Sequence, residues 1–314
     1  MDFEQWDMQE TRAAILDAIA DGAVTGPTLA ERLDISRTAV WKHVEELREM
    51  GFEIASSDEG YHLESVPEYG PAVGFDLDAP FDIEYHERID STNARARELA
   101  SEGETDVVVL ADEQTGGRGR LDRGWESPSG GIWLSILFRP DVPTAHAPVF
   151  TLAAAVATTK AVRALGVDAA IKWPNDVLVD GQKLAGILTE MEGEADRISW
   201  LVVGIGLNAN HDATRLPEGS TTVAEVLGEP VDRRTLTQEL LEQFHQLRTD
   251  HESVVPAWRD LASTLDRRVR VETADAELVG TAVDIEYPGM LVVEPDDGET
   301  TVAAGDCEHL RPVE

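Results

Sequence analysis

In residues 1–65 the apolar positions first repeat at helical spacing and then alternate. Ile15, Leu16 and Ile19 form one face of a helix that Asp21-Gly22 ends, and residues 28–33 make a second, short one. After a turn at Asp34-Ile35, Ser36 stands where an N-cap belongs, ahead of a third helix through Val40, Val44 and Leu47. Gly51 stops that helix, and Phe52-Glu53-Ile54 with Gly60-Tyr61-His62-Leu63 alternates as a two-stranded wing. Helix, turn, capped helix and wing predict a winged helix-turn-helix, whose third helix enters the major groove of DNA. Its opening residues Ser36, Arg37, Thr38, Trp41, Lys42 and His43 are the candidates for DNA contact, with a core position as the alternative for Trp41.

Pro67, Gly70, Pro71, Gly74 and Pro80 give residues 66–80 a linker composition. Strands at 81–85, 107–110, 132–138, 170–173, 177–179, 184–189 and 200–206 then interleave with helices at 92–100, 149–165 and 235–249. Asp180-Gly181 is a two-residue hairpin signal. Tight hairpins among long helices predict an α+β domain with a mixed sheet over residues 81–263. Beyond it the runs shorten: Val269-Arg270-Val271, Val279 to Val283, Met290 to Val293, Thr300 to Val302. They predict a small β-barrel over 264–314. The expected protein is thus an α+β multidomain chain, without internal repeats or low-complexity tracts.

Composition narrows the setting. Among 314 residues, 61 acids face 26 lysines and arginines, a formal net charge of -35, and the excess is spread along the chain. Lysine occurs only at 42, 160, 172 and 183. Such a balance suits concentrated salt, which screens self-repulsion, and a halophilic cytoplasm is the expectation; plain solubility is the alternative. The same acidity opposes DNA affinity in dilute salt. However, Arg37 and Lys42 meet no acid on the third helix until Glu45. The one cysteine, Cys307, cannot form an internal disulfide, and no secretory signal or membrane-length apolar run is present. These features favour a cytoplasmic protein without a membrane partner.

The chemistry concentrates in two motifs. Glu113-Gln114-Thr115-Gly116-Gly117-Arg118-Gly119-Arg120 follows the strand Val107 to Leu110, and Lys172-Trp173-Pro174-Asn175-Asp176 comes about fifty residues later. A glycine-rich loop carrying two arginines can close on phosphate or carboxylate oxygens, and two of the four lysines, Lys172 and Lys183, fall in or near these motifs. Joining a carboxylic acid to an amine at the expense of ATP brings a carboxylate against an α-phosphate. That step needs fixed positive charge and exclusion of water. Arg118, Arg120, Lys172 and Lys183 supply charge, Gly116, Gly117 and Gly119 a lid, Trp125 a surface for a purine, and Asn175 and Asn208 contacts to phosphates or a hydrated Mg2+. Each feature has a plainer alternative: solvated loop charges for Arg118 and Arg120, a cation–π pair for Lys172 and Trp173, packing for Gly204-Ile205-Gly206, a helix cap for Thr92. From the residues alone the reading reaches adenylate formation and does not name the acid.

Taken in order, Ser91-Thr92-Asn93, Gly117-Arg118-Gly119-Arg120, Lys172-Trp173-Pro174-Asn175-Asp176, Lys183-Leu184-Ala185-Gly186 and Gly204-Ile205-Gly206-Leu207-Asn208 resemble a biotin protein ligase. With a helix-turn-helix in front and a barrel behind, the whole chain resembles the bifunctional biotin operon repressor type, and its acidity a haloarchaeal member. The resemblance implies a class II synthetase-like catalytic domain and an SH3-like C-terminal barrel. It implies synthesis of biotinyl-5′-adenylate from biotin and ATP with Mg2+, transfer of biotin to a lysine of a carboxylase's biotin carboxyl carrier domain, operator DNA as a second partner, and a homodimer. It implies biotin binding by Ser91, Thr92, Asn93, Gln114, Arg118, Gly119, Arg120 and Lys183. Arg123, Trp125, Lys172, Asn175 and Asn208 would serve ATP, and Lys183, Arg118 and Arg120 the chemistry. One departure is Asp122, where the family usually has glycine, which puts the loop's closing kinetics in question. Two other readings compete: a lipoate ligase relative, against which stands the lack of an Arg-Arg-x-x-Gly-Gly-Gly element, and a non-catalytic acid-sensing regulator, against which stands Lys183.

Overall fold

Capping fixes where the first helices start. Helix α1 (Phe3–Ala20) precedes α2 (Gly26–Leu33), whose N-cap Thr25 accepts a hydrogen bond from the Thr28 amide at 3.3 Å, with Pro27 in its first turn. Helix α3 (Arg37–Glu49) opens at Ser36, whose hydroxyl accepts from the Ala39 amide at 3.0 Å. Strands β1 (Glu53–Ser57) and β2 (Gly60–Ser65) form the antiparallel wing. Ile15, Ile19, Leu29, Val40, Val44 and Leu47 are buried together as its core. In the computed structural model, which describes residues 3–273, 276–295 and 298–310, this unit runs to Asp76 and a second begins at Leu77. Ala72 and Phe75, inside the linker-like segment, belong to the first unit's core, Phe75 standing edge-on to Phe52 with ring centroids 6.2 Å apart. Its prolines and glycines masked an apolar anchor.

The second unit is built on a seven-stranded mixed sheet. In chain order its elements are β3 (Asp82–Ile89), α4 (Thr92–Glu102), β4 (Val107–Gln114), β5 (Ile132–Phe138), α5 (Pro148–Ala164), β6 (Ala169–Lys172), β7 (Asp176–Val179), β8 (Gln182–Glu194) and β9 (Arg197–Leu207). The sheet order is β3-β4-β5-β9-β8-β7-β6, with β3 and β4 parallel and every other neighbouring pair antiparallel. Asp180-Gly181 makes the β7–β8 hairpin, both residues with positive φ as a tight turn requires. Strand β5 is buried at every position, Ile-Trp-Leu-Ser-Ile-Leu-Phe, with Ser135 its single polar residue. Helix α5 is buried along most of its length, packed on the sheet and on α7 (Arg233–Thr249) and α8 (His251–Leu261), which follow the short α6 (Val223–Leu227). Helix α8 was not expected, because Pro256 lies inside it and reads as a breaker. Val254, Val255, Trp258 and Leu261 give it an apolar face nonetheless.

Strands β10 (Arg267–Glu272), β11 (Glu277–Glu286), β12 (Met290–Glu294), β13 (Thr300–Val302) and β14 (Asp306–His309) form an antiparallel sheet in the order β13-β12-β11-β10-β14, the SH3-like domain. It is fastened to the larger sheet. The indole of the fully buried Trp173 donates to the Gly289 carbonyl at 3.0 Å, and the Trp173 amide to the Thr264 hydroxyl at 2.9 Å. Arg259 of α8 forks onto Asp284 at 2.6 and 3.0 Å. Cys307 is buried here, and burial pushes its thiol up to about 11, Asp306 adding to the effect and Lys172 opposing it.

Candidate active site

The central strands, the start of α4 and the glycine-rich loop enclose a cavity of about 560 Å³. Ser91 caps α4, which leaves Thr92 and Asn93 in the first helical turn, both buried and directed at the cavity wall. Gln114, at the end of β4, accepts from the Thr92 amide at 2.8 Å and lies 3.0 Å from the Thr92 hydroxyl. Its amide nitrogen donates to Ser127 Oγ at 3.0 Å, and Ser127 in turn donates to the Trp125 carbonyl at 3.2 Å. Ser135 Oγ lies 2.7 Å from Thr92 Oγ1 and 2.6 Å from Asn93 Oδ1. Asn93 Nδ2 donates to Glu190 at 2.7 Å, and Glu190 pairs with Arg97 at 3.3 Å. The neutral, mutually ordered groups of Thr92, Asn93, Gln114, Ser127 and Ser135 therefore stand at one end of the cavity, with the Glu190–Arg97 ion pair at its edge.

The other end is charged. Lys183 Nζ sits 2.8 Å from Asp176 and 5.0 Å from the centroid of the Trp125 ring. The Trp125 indole rests on two glycines that face each other across the ladder, Gly186 on β8 and Gly206 on β9. A Cβ at Gly206 would stand 2.5 Å from the indole nitrogen, so only glycine leaves this floor open. Asn208 is buried, with Nδ2 donating to the Lys183 carbonyl at 3.4 Å and Oδ1 lacking a partner. Asn175 is engaged on both sides: it accepts from Arg120 at 2.9 Å and donates to the Ile187 carbonyl at 2.8 Å.

The loop reaches the C-terminal domain. Arg120 donates to the Gly305 carbonyl at 2.9 Å, and Arg123 is paired with Asp306 of β14. Leu121 at its tip has left-handed backbone (φ 56) and is 71 % exposed. The side chain of Asp122 lies outside the described residues.

Of the residues singled out from sequence, Ser91, Thr92, Asn93, Gln114, Arg118, Gly119, Arg120, Arg123, Trp125, Asn175, Lys183 and Asn208 all line this cavity. Lys172 does not. It opens instead on an adjoining space of about 260 Å³ against the C-terminal domain, bordered by Arg120, Arg123, Arg270 and Asp306, because it stands at the edge of the sheet, two strands beyond Gly186 in the row Lys172–Asp176–Gly186–Gly206. Sequence reasoning gave no role to Ser135, Ser127, Asp176, Glu190 or Asp306. A hydroxyl alone in an otherwise apolar strand was the one available signal, for Ser135.

In the first unit, Arg37, Thr38 and Trp41 border an open groove with wing residues Ser56, Ser57 and Asp58, and Trp41 is 56 % exposed, so it is not a core residue. Lys42 is exposed and 3.5 Å from Glu46. His43 is a correction: it is 8 % exposed, 3.4 Å from Glu46, and belongs to the buried side of α3. Two residues beyond Trp41, it is turned about 200° around the helix, away from the groove.

Over residues 12–62 the chain matches an HTH domain, over 85–208 the biotin/lipoate A/B protein ligase family, and over 264–310 the biotin protein ligase C-terminal domain. The bifunctional ligase/repressor BirA of Bacillus subtilis is 35 % identical over 303 residues, covering 91 % of this chain and 93 % of its own. That of Escherichia coli is 30 % identical over 297 residues, with coverages of 87 % and 88 %. The biotin–[acetyl-CoA-carboxylase] ligase of Mycobacterium tuberculosis is 34 % identical over 234 residues, covering 70 % and 86 %. Among solved structures, the biotin protein ligase of Aquifex aeolicus in complex with biotin and ATP shares the fold at a TM-score of 0.64 and 24 % identity, over 74 % of this chain and 99 % of that one.

Proposed function

Because the chain belongs to the biotin protein ligase family, among its bifunctional ligase/repressors, we propose how this cavity performs ATP-dependent biotinylation. The protein is a biotin–[biotin carboxyl carrier protein] ligase that also carries a DNA-binding repressor module. The observation that carries the reading is the single cavity with a neutral hydrogen-bonding end at Thr92 and Gln114 and a cationic end at Lys183, Arg118 and Arg120. The neutral end suits the ureido head of biotin, which offers two N–H donors and one carbonyl acceptor. The cationic end suits its carboxylate and the α-phosphate of ATP.

In the first step a carboxylate oxygen attacks the α-phosphorus, a P–O bond forms, and the bond to pyrophosphate breaks. Lys183, held by Asp176 at 2.8 Å, neutralises both approaching anions, and the arginines of the loop spread the charge over the departing phosphates. In the second step the amine of a carrier-domain lysine attacks the acyl carbon, an amide forms, and AMP leaves with the former carboxylate oxygen. Loop residues Gly117 to Arg123 keep water from the mixed anhydride between the two steps. Among the described residues no cluster of three His, Cys, Asp or Glu could cage a metal ion. The oxygens of Asp176 and the unpartnered Oδ1 of Asn208 fit a Mg2+ that arrives on the nucleotide's phosphates. Such an ion screens charge on those phosphates.

We assign biotin to Ser91, Thr92, Asn93, Gln114, Gly119, Arg118, Arg120 and Lys183, and the nucleotide to Arg123, Trp125, Asn175 and Asn208, with Lys172 facing the adjoining space beside Arg120 and Arg123. Operator contact falls to Arg37, Thr38, Trp41 and Lys42, and Ser36 caps their helix. The domains of the proposal are 1–76, 77–263 and 264–314, the first extended past 65 because Ala72 and Phe75 belong to its core. A homodimer and a cytoplasmic location complete the proposal; paired helix-turn-helix modules read two half-sites, and no helix of the described residues is long and apolar enough to cross a membrane. The test is biotin-dependent exchange of labelled pyrophosphate into ATP, in molar potassium chloride, followed by biotin transfer to a carrier domain. Exchange with lipoate alone, or with neither acid, overturns it.

A further inference from the structure

Ser135 lines no part of the cavity, yet it decides which way a hydroxyl at the cavity wall points. It is 0 % exposed, the single polar residue of β5, and its Oγ touches two oxygens, Thr92 Oγ1 at 2.7 Å and Asn93 Oδ1 at 2.6 Å. A serine hydroxyl has one proton to share between those contacts. Asn93 Oδ1 is an acceptor only, because the Nδ2 of the same amide is committed to Glu190 at 2.7 Å and lies 3.4 Å from the Leu188 carbonyl. Two buried oxygens at 2.6 Å with no proton between them would repel, so the proton of Ser135 belongs to Asn93. The 2.7 Å contact to Thr92 then requires the proton of Thr92. Two hydroxyl protons thus serve three oxygen–oxygen contacts, and the one left without a proton is the longest, Thr92 Oγ1 to Gln114 Oε1 at 3.0 Å, where Gln114 still accepts the Thr92 amide at 2.8 Å; Thr92 donates inward to Ser135.

The consequence reaches the ligand. With its proton turned inward, Thr92 Oγ1 faces the cavity through lone pairs alone and accepts hydrogen bonds without offering any. We propose that Ser135 is a positioning residue for the vitamin's head group: it locks Thr92 as an acceptor and so selects a ligand that presents an N–H at that point. The inference rests on the biotin reading of this cavity. The packing agrees with a dedicated network. Gly204 is the residue opposite Ser135 across the β5–β9 ladder, and a Cβ there would collide with Asn93 Oδ1, so the room left by the missing side chain is what the Asn93 amide occupies.

The test compares Ser135→Ala, Ser135→Cys and Ser135→Thr with the parent protein in biotin-dependent pyrophosphate exchange, with biotin and ATP varied separately. Cysteine keeps the volume and is a weak donor; threonine keeps the hydroxyl. Loss of one ordered hydrogen bond predicts a rise of about tenfold in KM for biotin in the Ala and Cys variants, with KM for ATP and kcat within about threefold. The Thr variant is expected to stay within about threefold of the parent, since it retains the proton. A second measurement uses biotin methylated at either ureido nitrogen. One of the two methyl compounds lacks the N–H that Thr92 accepts and binds the parent weakly, and its penalty relative to biotin shrinks in Ser135→Ala, because biotin has there lost the same hydrogen bond; a purely structural role leaves the penalty unchanged. Where Ser135→Ala fails to fold, Ser135→Cys carries the comparison. A biotin KM unchanged in the Cys variant, or equal losses with all ligands, overturns the inference. An absence of biotin-dependent exchange in the parent protein overturns the ligase reading instead.

Discussion

Replacing Gly206 by alanine tests whether the glycine floor is the place where a planar group must lie. A Cβ at this position stands 2.5 Å from Trp125 Nε1, 2.7 Å from Cε2 and 3.0 Å from Cζ2. Comfortable contact for such atoms is about 3.5–4.0 Å, so whatever covers the floor must retreat by about 1 Å. Overpacking of that size costs about 1–3 kcal/mol, equivalent to about a 5- to 150-fold rise in KM for ATP, the ligand assigned to Trp125. The backbone is regular strand paired with Trp133 on one side and Gly186 on the other, so alanine meets no left-handed strain. Alanine also restricts the unfolded chain, worth about 0.4–1 kcal/mol, which offsets part of the packing cost. The net cost to the folded chain is then at most about 2.6 kcal/mol, so Tm should fall by no more than about 10 °C. Exchange kinetics give KM, and the difference in tryptophan emission between Gly206→Ala and its Trp125→Phe counterpart reports whether the indole has left the floor. A KM for ATP within twofold of the parent, with unchanged emission, would refute the reasoning.

Lys183→Met should slow adenylate formation by about 10²- to 10³-fold with little change in Tm, because the lysine acts on developing charge and is partly exposed; near-normal pyrophosphate exchange would remove it from the mechanism. Asp306→Asn loosens the hold of the C-terminal domain on Arg123 and Arg120, and should raise the rate at which biotinyl-adenylate escapes by about two- to fivefold in dilute buffer and less in molar salt. A stopped-flow chase that shows no difference at low salt would exclude the latch. His211 and His309 are both pushed down to about 4, mainly by burial, with Arg215 and Arg233 acting on the first and Lys172 and Arg267 on the second. Above pH 6.5 both are neutral in folded and unfolded chains and contribute nothing; as pH falls from 6.5 towards 4 the unfolded chain binds protons that the folded one refuses. Each then costs up to about 3 kcal/mol. Urea midpoints should drop over that window, less steeply in His211→Gln with His309→Gln, and equal slopes would count against both assignments.

Much of this was legible because the decisive signals are local. Ser36 and Ser91 cap helices through amides three residues on, and Asp180-Gly181 turns a hairpin within four residues. Periodicity therefore found α3, α4 and the β7–β8 turn. Convergence was harder to see, since Ser91, Gln114, Lys183 and Asn208 approach one another only through sheet order, which alternation does not encode. Arg120 and Gly305 are 185 residues apart, and nothing near either predicts the other. His43 was misplaced because motif position ignores helical phase: it belongs with Val40, Val44 and Leu47 on the inner face. Proline misled in the opposite sense at Pro256, where the burial of Trp258 and Leu261 outweighs one missing backbone donor.

The thiol at position 307 has a practical side. It is the chain's one cysteine, enclosed in the small C-terminal domain and held protonated through neutral pH. Maleimide dyes should therefore pass over it in the native protein. A cysteine introduced at Leu121, on the exposed tip of the loop, becomes a single addressable handle without further mutation. Opening and closing of the loop can then be followed by the dye's emission in one molecule at a time.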